Sequence, residues 1–234
     1  MFLGRRKPPR GRSQIDGALR AALFDFDGTL VDTTELIYQS MRHAAGEVLG
    51  REIPRETLMA NVGQPLPRQM ELIDAARVEA LLESYELHNE EHHDSLIGEF
   101  PGVERDLARL RAGGVRVAVV TSKRRHSVEL ALEKFPGLGE VVDRFVTMED
   151  TTEHKPNPAP LLKGLELLGG YLPEEAAYVG DSPFDVAAAK AAGITSVAVS
   201  WGVFSEATLR SGEPDYLLPD LDSAVDVLLE ISER

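Results

Sequence analysis

The sequence contains no cysteine, which excludes disulfide bonds, thiolate catalysis and cysteine-ligated zinc sites. It also lacks any apolar run near the ~20 residues that a transmembrane helix needs. A secretory signal is not expected, because the basic start of the chain contains Pro8 and Pro9 and no apolar segment follows it. We therefore expect a cytoplasmic protein that is not bound to a membrane.

Positive charge is scarce outside the first 20 residues. These residues contain six basic side chains and one acidic side chain and carry +5, whereas the whole chain carries −14 and the remainder therefore −19. We interpret residues 1–19 as a basic, flexible tail. Nucleic acid is not an expected partner, because a phosphate backbone is bound through cationic patches. A small phosphorylated substrate remains compatible, since it needs only one local cationic site. The oligomeric state cannot be read from the sequence.

One apolar run is followed by two closely spaced carboxylates. The stretch 21–31 begins Ala-Ala-Leu-Phe and continues with Asp25, Asp27 and Gly28. Such a short apolar run predicts a strand of a parallel sheet that is buried on both faces. Paired carboxylates at a strand end repel each other unless a cation or a proton lies between them, and oxygen ligands suit Mg²⁺. The alternative is a polar turn that caps a helix.

The remaining chain divides into a helical block and an alternating block. Residues 33–99 show helical periodicity and no strand signal, and from residue 100 onwards strands alternate with helices. This alternation predicts a doubly wound parallel α/β sheet with a helical unit inserted after its first strand. The predicted helices are 33–49, 54–61, 68–73, 76–96, 103–112, 127–134, 159–168, 186–192 and 223–231, and the later strands are 115–120, 144–148, 177–179, 196–199 and 216–218.

Polar residues follow the predicted strands at the points where each strand ends. Thr121 and Ser122 follow the second strand, Lys155 follows the third, and Asp181 and Asp185 follow the fourth. The carboxyl ends of parallel strands open onto one edge of a sheet, where such folds bind ligands. Each residue also has a structural interpretation, such as a helix cap at residues 181–183. Their coincidence at successive strand ends favours one shared site.

These motifs resemble those of the haloacid dehalogenase superfamily, in its phosphatase branch, subfamily I. The likeness spans residues 21–234: Asp25-Phe26-Asp27-Gly28-Thr29 is similar to the nucleophile motif, Thr121-Ser122 to the hydroxyl motif, Lys155-Pro156 to the lysine motif, and Gly180-Asp181-Ser182 with Asp185 to the metal motif. The resemblance implies a Rossmann-like core, 20–32 plus 100–234, and an α-helical cap, 33–99. It also implies dependence on Mg²⁺ and a covalent aspartyl-phosphate.

The resemblance also assigns roles to individual residues. Asp25 would attack phosphorus, and Asp27 would protonate the leaving group and then activate the water that hydrolyses the intermediate. The presence of Asp27 indicates phosphoryl transfer, because the dehalogenases of the family lack the second aspartate. The implied Mg²⁺ ligands are Asp25, Asp27 through its carbonyl, Asp181 and Asp185, and the implied phosphate-binding residues are Gly28, Thr121, Ser122 and Lys155.

Within this branch, the chain is most similar to inorganic pyrophosphatases, with phosphoglycolate phosphatases close behind. The stretches that carry this likeness are 88–94, 119–123, 180–182 and 199–202. Other small organic phosphates, a phosphosugar mutase reaction and a non-catalytic phosphate-binding role are the alternatives. The second phosphoryl group of pyrophosphate would need cations or cap donors, and His88 with His92 has a helical spacing that also suits zinc. The candidates for substrate specificity are Lys123, Arg124, His43, Gln64, His92 and His93.

Overall fold

A computed structural model describes residues 18–233 of the chain. The basic tail that the sequence predicts for residues 1–19 lies outside the described residues except for its last two positions. Of these, Leu19 is buried in the hydrophobic core. No helix of the described part is long and apolar enough to cross a membrane.

A six-stranded parallel sheet forms the centre of the molecule, in the order β5-β4-β1-β6-β7-β8. This confirms the prediction of a parallel α/β sheet. A separate two-stranded antiparallel ladder joins β2 and β3. The strands are β1 (Ala21–Phe24), β2 (Val31–Asp32), β3 (Gly98–Glu99), β4 (Arg116–Val120), β5 (Arg144–Val146), β6 (Ala176–Gly180), β7 (Thr195–Val199) and β8 (Tyr216–Leu218).

Helices cover both faces of the sheet, because each central strand sends alternate apolar side chains to opposite sides. In β1, Ala22 and Phe24 belong to one core cluster and Ala21 and Leu23 to the other. The helices are α1 (Thr34–Leu49), α2 (Arg55–Met59), α3 (Leu66–Ile73), α4 (Val78–Leu96), α5 (Val103–Ala112), α6 (Arg125–Lys134), α7 (Pro136–Val141), α8 (Ala159–Leu168), α9 (Pro183–Ala192), α10 (Glu206–Ser211) and α11 (Leu221–Ser232). The first cluster packs under α5, α6, α7 and α11, and the second under α8 and α9.

Helices α1 to α4 form a unit with its own apolar core, which we call the helical insert. Met41, Met70 and Leu81 are almost fully buried in this core. The two chain segments that connect the insert to the sheet pair with each other as β2 and β3. The prediction that no strand lies between Asp32 and residue 100 was therefore wrong for Gly98–Glu99. A two-residue strand that contains glycine leaves no alternating pattern in the sequence.

Two helices of the structure, α7 and α10, were not predicted from the sequence. The helix α7 contains Pro136, Gly137 and Gly139, which are poor helix formers, and it is held by packing of Leu138 into the core. The helix α10 is six residues long, too short for helical periodicity to stand out, and Leu209 alone anchors it by full burial.

Candidate active site

The strand-end residues meet at the carboxyl edge of the sheet. Asp25 directly follows β1, Thr121 follows β4 and Asp181 follows β6, and all three side chains line one cavity. The backbone N–H of Asp25 donates to Val179 O at 2.8 Å, which continues the β1–β6 pairing to the edge itself. The parallel topology thus brings segments that are far apart in sequence to a common site.

Lys155 lies buried between two of the carboxylates. Its Nζ is 3.0 Å from Asp25 Oδ1 and 2.7 Å from Asp185 Oδ1, and its side chain is 1% exposed. Burial alone would lower the pKa of Lys155, but the Asp185 and Asp25 carboxylates raise it above its usual value. Lys155 therefore remains an ammonium that neutralises part of the buried negative charge.

Three buried carboxylates form a group that can hold a cation. One oxygen each of Asp25, Asp181 and Asp185 lies within 4.8 Å of the others. Burial, together with the neighbouring carboxylates, raises the pKa of Asp25 to about 7 and the pKa of Asp181 well above its ordinary value. A single ammonium is thus insufficient to neutralise the cluster, and a hard dication with a preference for oxygen ligands, such as Mg²⁺, fits this donor set.

Asp181 and Asp185 are held by different local contacts. Ser182 is the N-cap of α9: its Oγ donates to Asp185 Oδ2 at 2.6 Å, and the Asp185 N–H lies 3.2 Å from Ser182 Oγ. The helix cap considered for residues 181–183 therefore exists, with Ser182 as the cap residue and Pro183 at the first helical position. The Asp181 carboxylate instead accepts the Val203 N–H at 2.7 Å. The side chains of Asp181 and Asp185 thus both have defined orientations at the site.

Asp27 pairs with a basic residue of the neighbouring strand end. Lys123 Nζ lies 2.9 Å from Asp27 Oδ1 and 3.3 Å from Oδ2. The carboxylate of Asp27 is therefore directed toward Lys123, and it is not part of the buried three-carboxylate group. Both side chains line the cavity and keep some exposure, 9% for Lys123 and 18% for Asp27.

The other proposed phosphate-binding residues have different surroundings. Thr121 is buried at the cavity wall, and its Oγ1 accepts the Lys123 N–H at 3.2 Å. Ser122 Oγ donates to Gly63 O of the helical insert at 2.8 Å. The Gly28 N–H donates to Val31 O at 2.9 Å, and Gly28 has a φ of 74°. A Cβ at Gly28 would lie 2.5 Å from Asp181 Oδ2, so only glycine allows this close approach.

A cavity of about 240 Å³ lies between the sheet edge and the helical insert. Of the predicted specificity residues, Gln64, Lys123 and Arg124 line it, whereas His43, His92 and His93 do not. Its polar wall comprises Asp25, Asp27, Gln64, Gln69, Tyr85, Glu86, Asn89, Glu90, Thr121, Ser122, Lys123, Arg124, His126, Ser127, Glu149 and Asp181.

The histidines of the helical insert lie outside this cavity. The rings of His43 and His88 stack with centroids 4.6 Å apart, and His88 and His92 stack at 4.2 Å. The Nδ1–H of His92 donates to the His88 carbonyl at 3.0 Å. His93 is buried and pairs with Asp94. The structure thus separates the predicted histidine cluster from the carboxylate site.

Two side-chain contacts connect the loop after β4 to the helical insert at the cavity. Arg124 contacts Glu86, and His126 Nε2 lies 3.5 Å from Glu90 Oε1. Together with the bond from Ser122 to Gly63, these contacts join the sheet edge to the insert on two sides of the cavity. An anion that enters the cavity would meet basic side chains that already have carboxylate partners.

Sequence reasoning missed several residues of this region, above all Tyr178 and Asn89. The Tyr178 hydroxyl lies 2.9 Å from Lys155 Nζ, but in the sequence Tyr178 is only one aromatic residue in a buried strand. Asn89 lies beside the conspicuous histidines, and its burial at the cavity wall follows from the face of α4 on which it lies. The i, i+4 spacing of Asn89 from Tyr85 was the available signal.

Comparison with known proteins gives a consistent result. Residues 22–199 match the family model described as haloacid dehalogenase-like hydrolase. The PpaX protein of Caldanaerobacter subterraneus subsp. tengcongensis is 41% identical over 203 residues, covering 87% of this chain and 91% of that protein. Pyrophosphatase PpaX of Bacillus mycoides is 36% identical over 214 residues, covering 92% of this chain and 99% of that protein.

Solved structures share the fold. A structure described as a predicted phosphatase from Clostridium acetobutylicum superposes with a TM-score of 0.81 at 23% identity, covering 92% of this chain and 100% of that chain. A structure described as a predicted phosphoglycolate phosphatase from Haemophilus somnus gives 0.80 at 24% identity, covering 89% and 97%. At these identities the likeness shows that the architecture is shared.

Proposed function

Because the chain belongs to the haloacid dehalogenase-like hydrolases, we propose that this enzyme is a Mg²⁺-dependent phosphatase that acts through an aspartyl-phosphate and prefers inorganic pyrophosphate. The observation that carries the proposal is the buried contact of Lys155 with Asp185 and with Asp25, which lines a small cavity. A carboxylate beside an ammonium and two further carboxylates is a suitable arrangement for a nucleophile that attacks an anionic phosphoryl group.

The two chemical steps use Asp25 and Asp27 in succession. Asp25 Oδ attacks phosphorus, the bond to the leaving oxygen breaks, and that oxygen takes a proton from Asp27. A water molecule then attacks the phosphorus of the aspartyl-phosphate and gives its proton to Asp27, while the bond to Asp25 breaks. Lys155 and Thr121 stabilise the transferring phosphoryl oxygens.

Asp25, Asp181 and Asp185 would hold Mg²⁺, together with the Asp27 carbonyl that the family resemblance implies. When bound, Mg²⁺ would offset the charge of the phosphoryl group and of the carboxylates. The chain's own part is to keep the carboxylates in place, through the N-cap of α9 and the Val203 N–H, and to exclude water by burying Asp25, Asp181 and Asp185.

Pyrophosphate suits the cavity for two reasons. A volume of about 240 Å³ favours a small substrate, and Lys123, Arg124 and His126 place three basic groups on one side of the wall. These groups can exchange their carboxylate partners for the distal phosphate. The relatives named pyrophosphatase support the same choice. Phosphoglycolate or another small phosphate monoester is the second candidate, because the cavity also has apolar wall residues such as Ile37 and Leu66.

We also propose that the helical insert acts as a cap. It contributes the cavity wall opposite the catalytic aspartates, including Tyr85 and Asn89, and it meets the loop after β4 through Glu86 and Glu90. Residues 33–99 would form this cap, and 20–32 with 100–234 the catalytic core. Opening of the two contacts, Arg124 with Glu86 and His126 with Glu90, would admit substrate and release phosphate.

Phosphate release with Mg²⁺ tests the proposal, with pyrophosphate, phosphoglycolate and a sugar phosphate compared at equal concentration. We expect pyrophosphate to give the highest kcat/KM, and the Asp25→Asn variant, purified in parallel, to release no phosphate. A preference for phosphoglycolate would keep the mechanism and overturn the substrate. Binding without turnover of any of the three would favour the non-catalytic alternative, and transfer to a second sugar phosphate would indicate a mutase.

A further inference from the structure

The hydroxyl of Tyr178 lies beneath the carboxylate site, although the ring belongs to the core of the sheet. Tyr178 is on β6, is 1% exposed, and packs with Leu23 in the cluster under α8 and α9. Its hydroxyl oxygen reaches the site from below and lies 2.9 Å from Lys155 Nζ and 3.1 Å from Asp185 Oδ1. No other described tyrosine contacts these two residues through a hydrogen bond.

Two of the three donors of Lys155 make hydrogen bonds, to Tyr178 and Asp185, and the buried Asp25 Oδ1 nearby has no hydrogen-bond partner among the described residues. An ammonium has three N–H donors, and Lys155 Nζ has three oxygen neighbours: Asp185 Oδ1 at 2.7 Å, Tyr178 OH at 2.9 Å and Asp25 Oδ1 at 3.0 Å. The Tyr178 hydroxyl in turn has one hydrogen, which Val120 O at 2.8 Å and Asp185 Oδ1 at 3.1 Å share as acceptors. The third N–H of Lys155 is therefore the one left for Asp25.

The Val120 carbonyl, which accepts a hydrogen bond from Tyr178, connects this network to the end of a further strand. Val120 is the last residue of β4 and directly precedes Thr121, whose side chain lines the cavity. Tyr178 thus connects the end of β4, the loop that carries Lys155 and the first turn of α9 through one oxygen atom. A hydroxyl makes these connections without adding charge to a crowded ionic site.

We propose that Tyr178 is a positioning residue that directs the Lys155 ammonium toward Asp25. Without the Tyr178 hydroxyl, Asp185 would be the one described hydrogen-bond acceptor of Lys155, and the buried ammonium would move toward that carboxylate and away from Asp25. Tyr178 occupies a second donor with a neutral acceptor, so the third N–H is left for Asp25 Oδ1, 3.0 Å from Nζ. This inference rests on the proposed function only through the role of Lys155 in holding phosphoryl oxygens.

The Tyr178→Phe variant removes the oxygen and keeps the ring in the core. We expect a roughly 10- to 100-fold loss of kcat, the range found when groups that orient a site are removed, and a much smaller change in KM. We also expect Mn²⁺, titrated into the substrate-free enzyme and followed by electron paramagnetic resonance, to bind roughly 10-fold more weakly, because Lys155 is then free to compete for Asp25 and Asp185.

Ser196→Ala is the matched control. Ser196 is also buried, faces Tyr178 in the β6–β7 register, and its Oγ donates to Asp215 Oδ2 at 2.8 Å, outside the cavity wall. The variant loses a buried hydroxyl without touching Asp25, Asp181 or Asp185. We expect it to lower thermal stability while kcat and Mn²⁺ affinity stay at the wild-type values.

Two outcomes would overturn the role of Tyr178. Wild-type kcat and Mn²⁺ affinity in Tyr178→Phe would show that the hydroxyl only completes the core, and equal losses in Ser196→Ala would show a general effect of stability.

If Tyr178→Phe does not fold, the ¹⁵Nζ resonance of Lys155 in the wild-type enzyme decides instead. A slowly exchanging ammonium with a cross-peak to the Tyr178 ring supports the inference, and a rapidly exchanging one contradicts it. Absence of activity in the wild type would contradict the proposed function but would leave these binding and resonance readouts interpretable.

Discussion

Lys123 and Asp27 form an ion pair at the wall of the cavity, with Lys123 Nζ 2.9 Å from Asp27 Oδ1 and 3.3 Å from Oδ2. The ammonium lies near both oxygens of the carboxylate that we propose as the general acid and base. Because a substrate phosphate is a competing anion for Lys123, entry of substrate would draw the ammonium away from Asp27. The pair therefore links binding of the anion to release of the carboxylate for proton transfer.

Lys123→Met should weaken substrate binding more than it slows chemistry. We expect KM for pyrophosphate to rise roughly 10- to 100-fold, corresponding to the loss of about 1.4–2.8 kcal/mol from a charged hydrogen bond, with kcat changed much less. Steady-state kinetics at saturating Mg²⁺ measure both constants. Lys123→Arg keeps the charge and should retain most of the affinity, and an unchanged KM in Lys123→Met would remove Lys123 from the binding site.

Asp25→Asn should abolish turnover and leave the fold intact. The amide cannot attack phosphorus, so we expect a loss of at least ~10³-fold in kcat. Stability should change little, because Lys155 keeps Asp185 and Tyr178 as partners and an uncharged side chain avoids the desolvation that raises the pKa of Asp25. Phosphate release and thermal melting measure the two effects; normal turnover would exclude covalent catalysis by Asp25.

Asp27→Asn should slow turnover and allow the phosphoenzyme to accumulate. The first step with pyrophosphate needs little acid help, since phosphate is a good leaving group, whereas the second step loses the base for water. We expect kcat to fall roughly 10²- to 10⁴-fold, and intact-mass spectrometry after an acid quench to show an added phosphoryl group. The Asp25→Asn, Asp27→Asn double variant should show none, and label in that variant would place the phosphoryl group elsewhere.

The convergence of Asp25, Thr121, Lys155 and Asp181 was predictable from sequence because parallel strands share one carboxyl edge. Alternation of strands and helices was enough to infer this edge without knowing any distance. The pairing of Lys123 with Asp27 and of Lys155 with Asp185 was not predictable, because it depends on side-chain directions in the folded state. Sequence spacing contains no information on these directions across separate strands.

The residues of the helical insert that line the cavity could not be predicted from the sequence pattern. Residues 88–94 stand out in the sequence for their histidines, but the helical period places His88 and His92 on a face that stacks on His43. Asn89, the residue after His88, lines the cavity instead. Which face of α4 meets the cavity depends on how the insert packs over the sheet, and the periodicity of α4 alone does not specify that orientation.

Stability should depend on pH through Asp106, which does not line the cavity. Asp106 is fully buried, and Arg105 and Arg109 donate to its carboxylate at 2.8–3.1 Å. Burial alone would raise the pKa of Asp106, but these hydrogen bonds lower it below its ordinary value of 3.8. A lowered pKa in the folded state stabilises the protein above pH 3.8, and this contribution is lost as the pH falls below 3.8.

Asp106→Asn should therefore be less stable than the wild type by about 1–2 kcal/mol at pH 7, a charged hydrogen-bond value reduced for the exposed arginines. The difference should shrink when unfolding by urea is repeated below pH 3.8. Asp222→Asn, at an exposed carboxylate that contacts the same arginines, should change stability by less than about 1 kcal/mol. A difference for Asp106→Asn that stays constant with pH would assign its effect to packing.

Gly202→Ala should disturb the metal site without altering any proposed ligand. A Cβ at Gly202 would lie 2.1 Å from Asp181 Oδ2 and 2.4 Å from Asp181 Cβ, so the Asp181 side chain must move away from the carboxylate group. We expect the Mg²⁺ concentration for half-maximal activity to rise roughly 10-fold. The matched control is Gly46→Ala in α1, where a Cβ meets no atom within 4 Å. It should leave the Mg²⁺ requirement unchanged and stabilise the helix by roughly 0.5–1 kcal/mol. Equal Mg²⁺ requirements in the two variants would show that Asp181 is not a ligand, because its displacement would then have no effect on the metal.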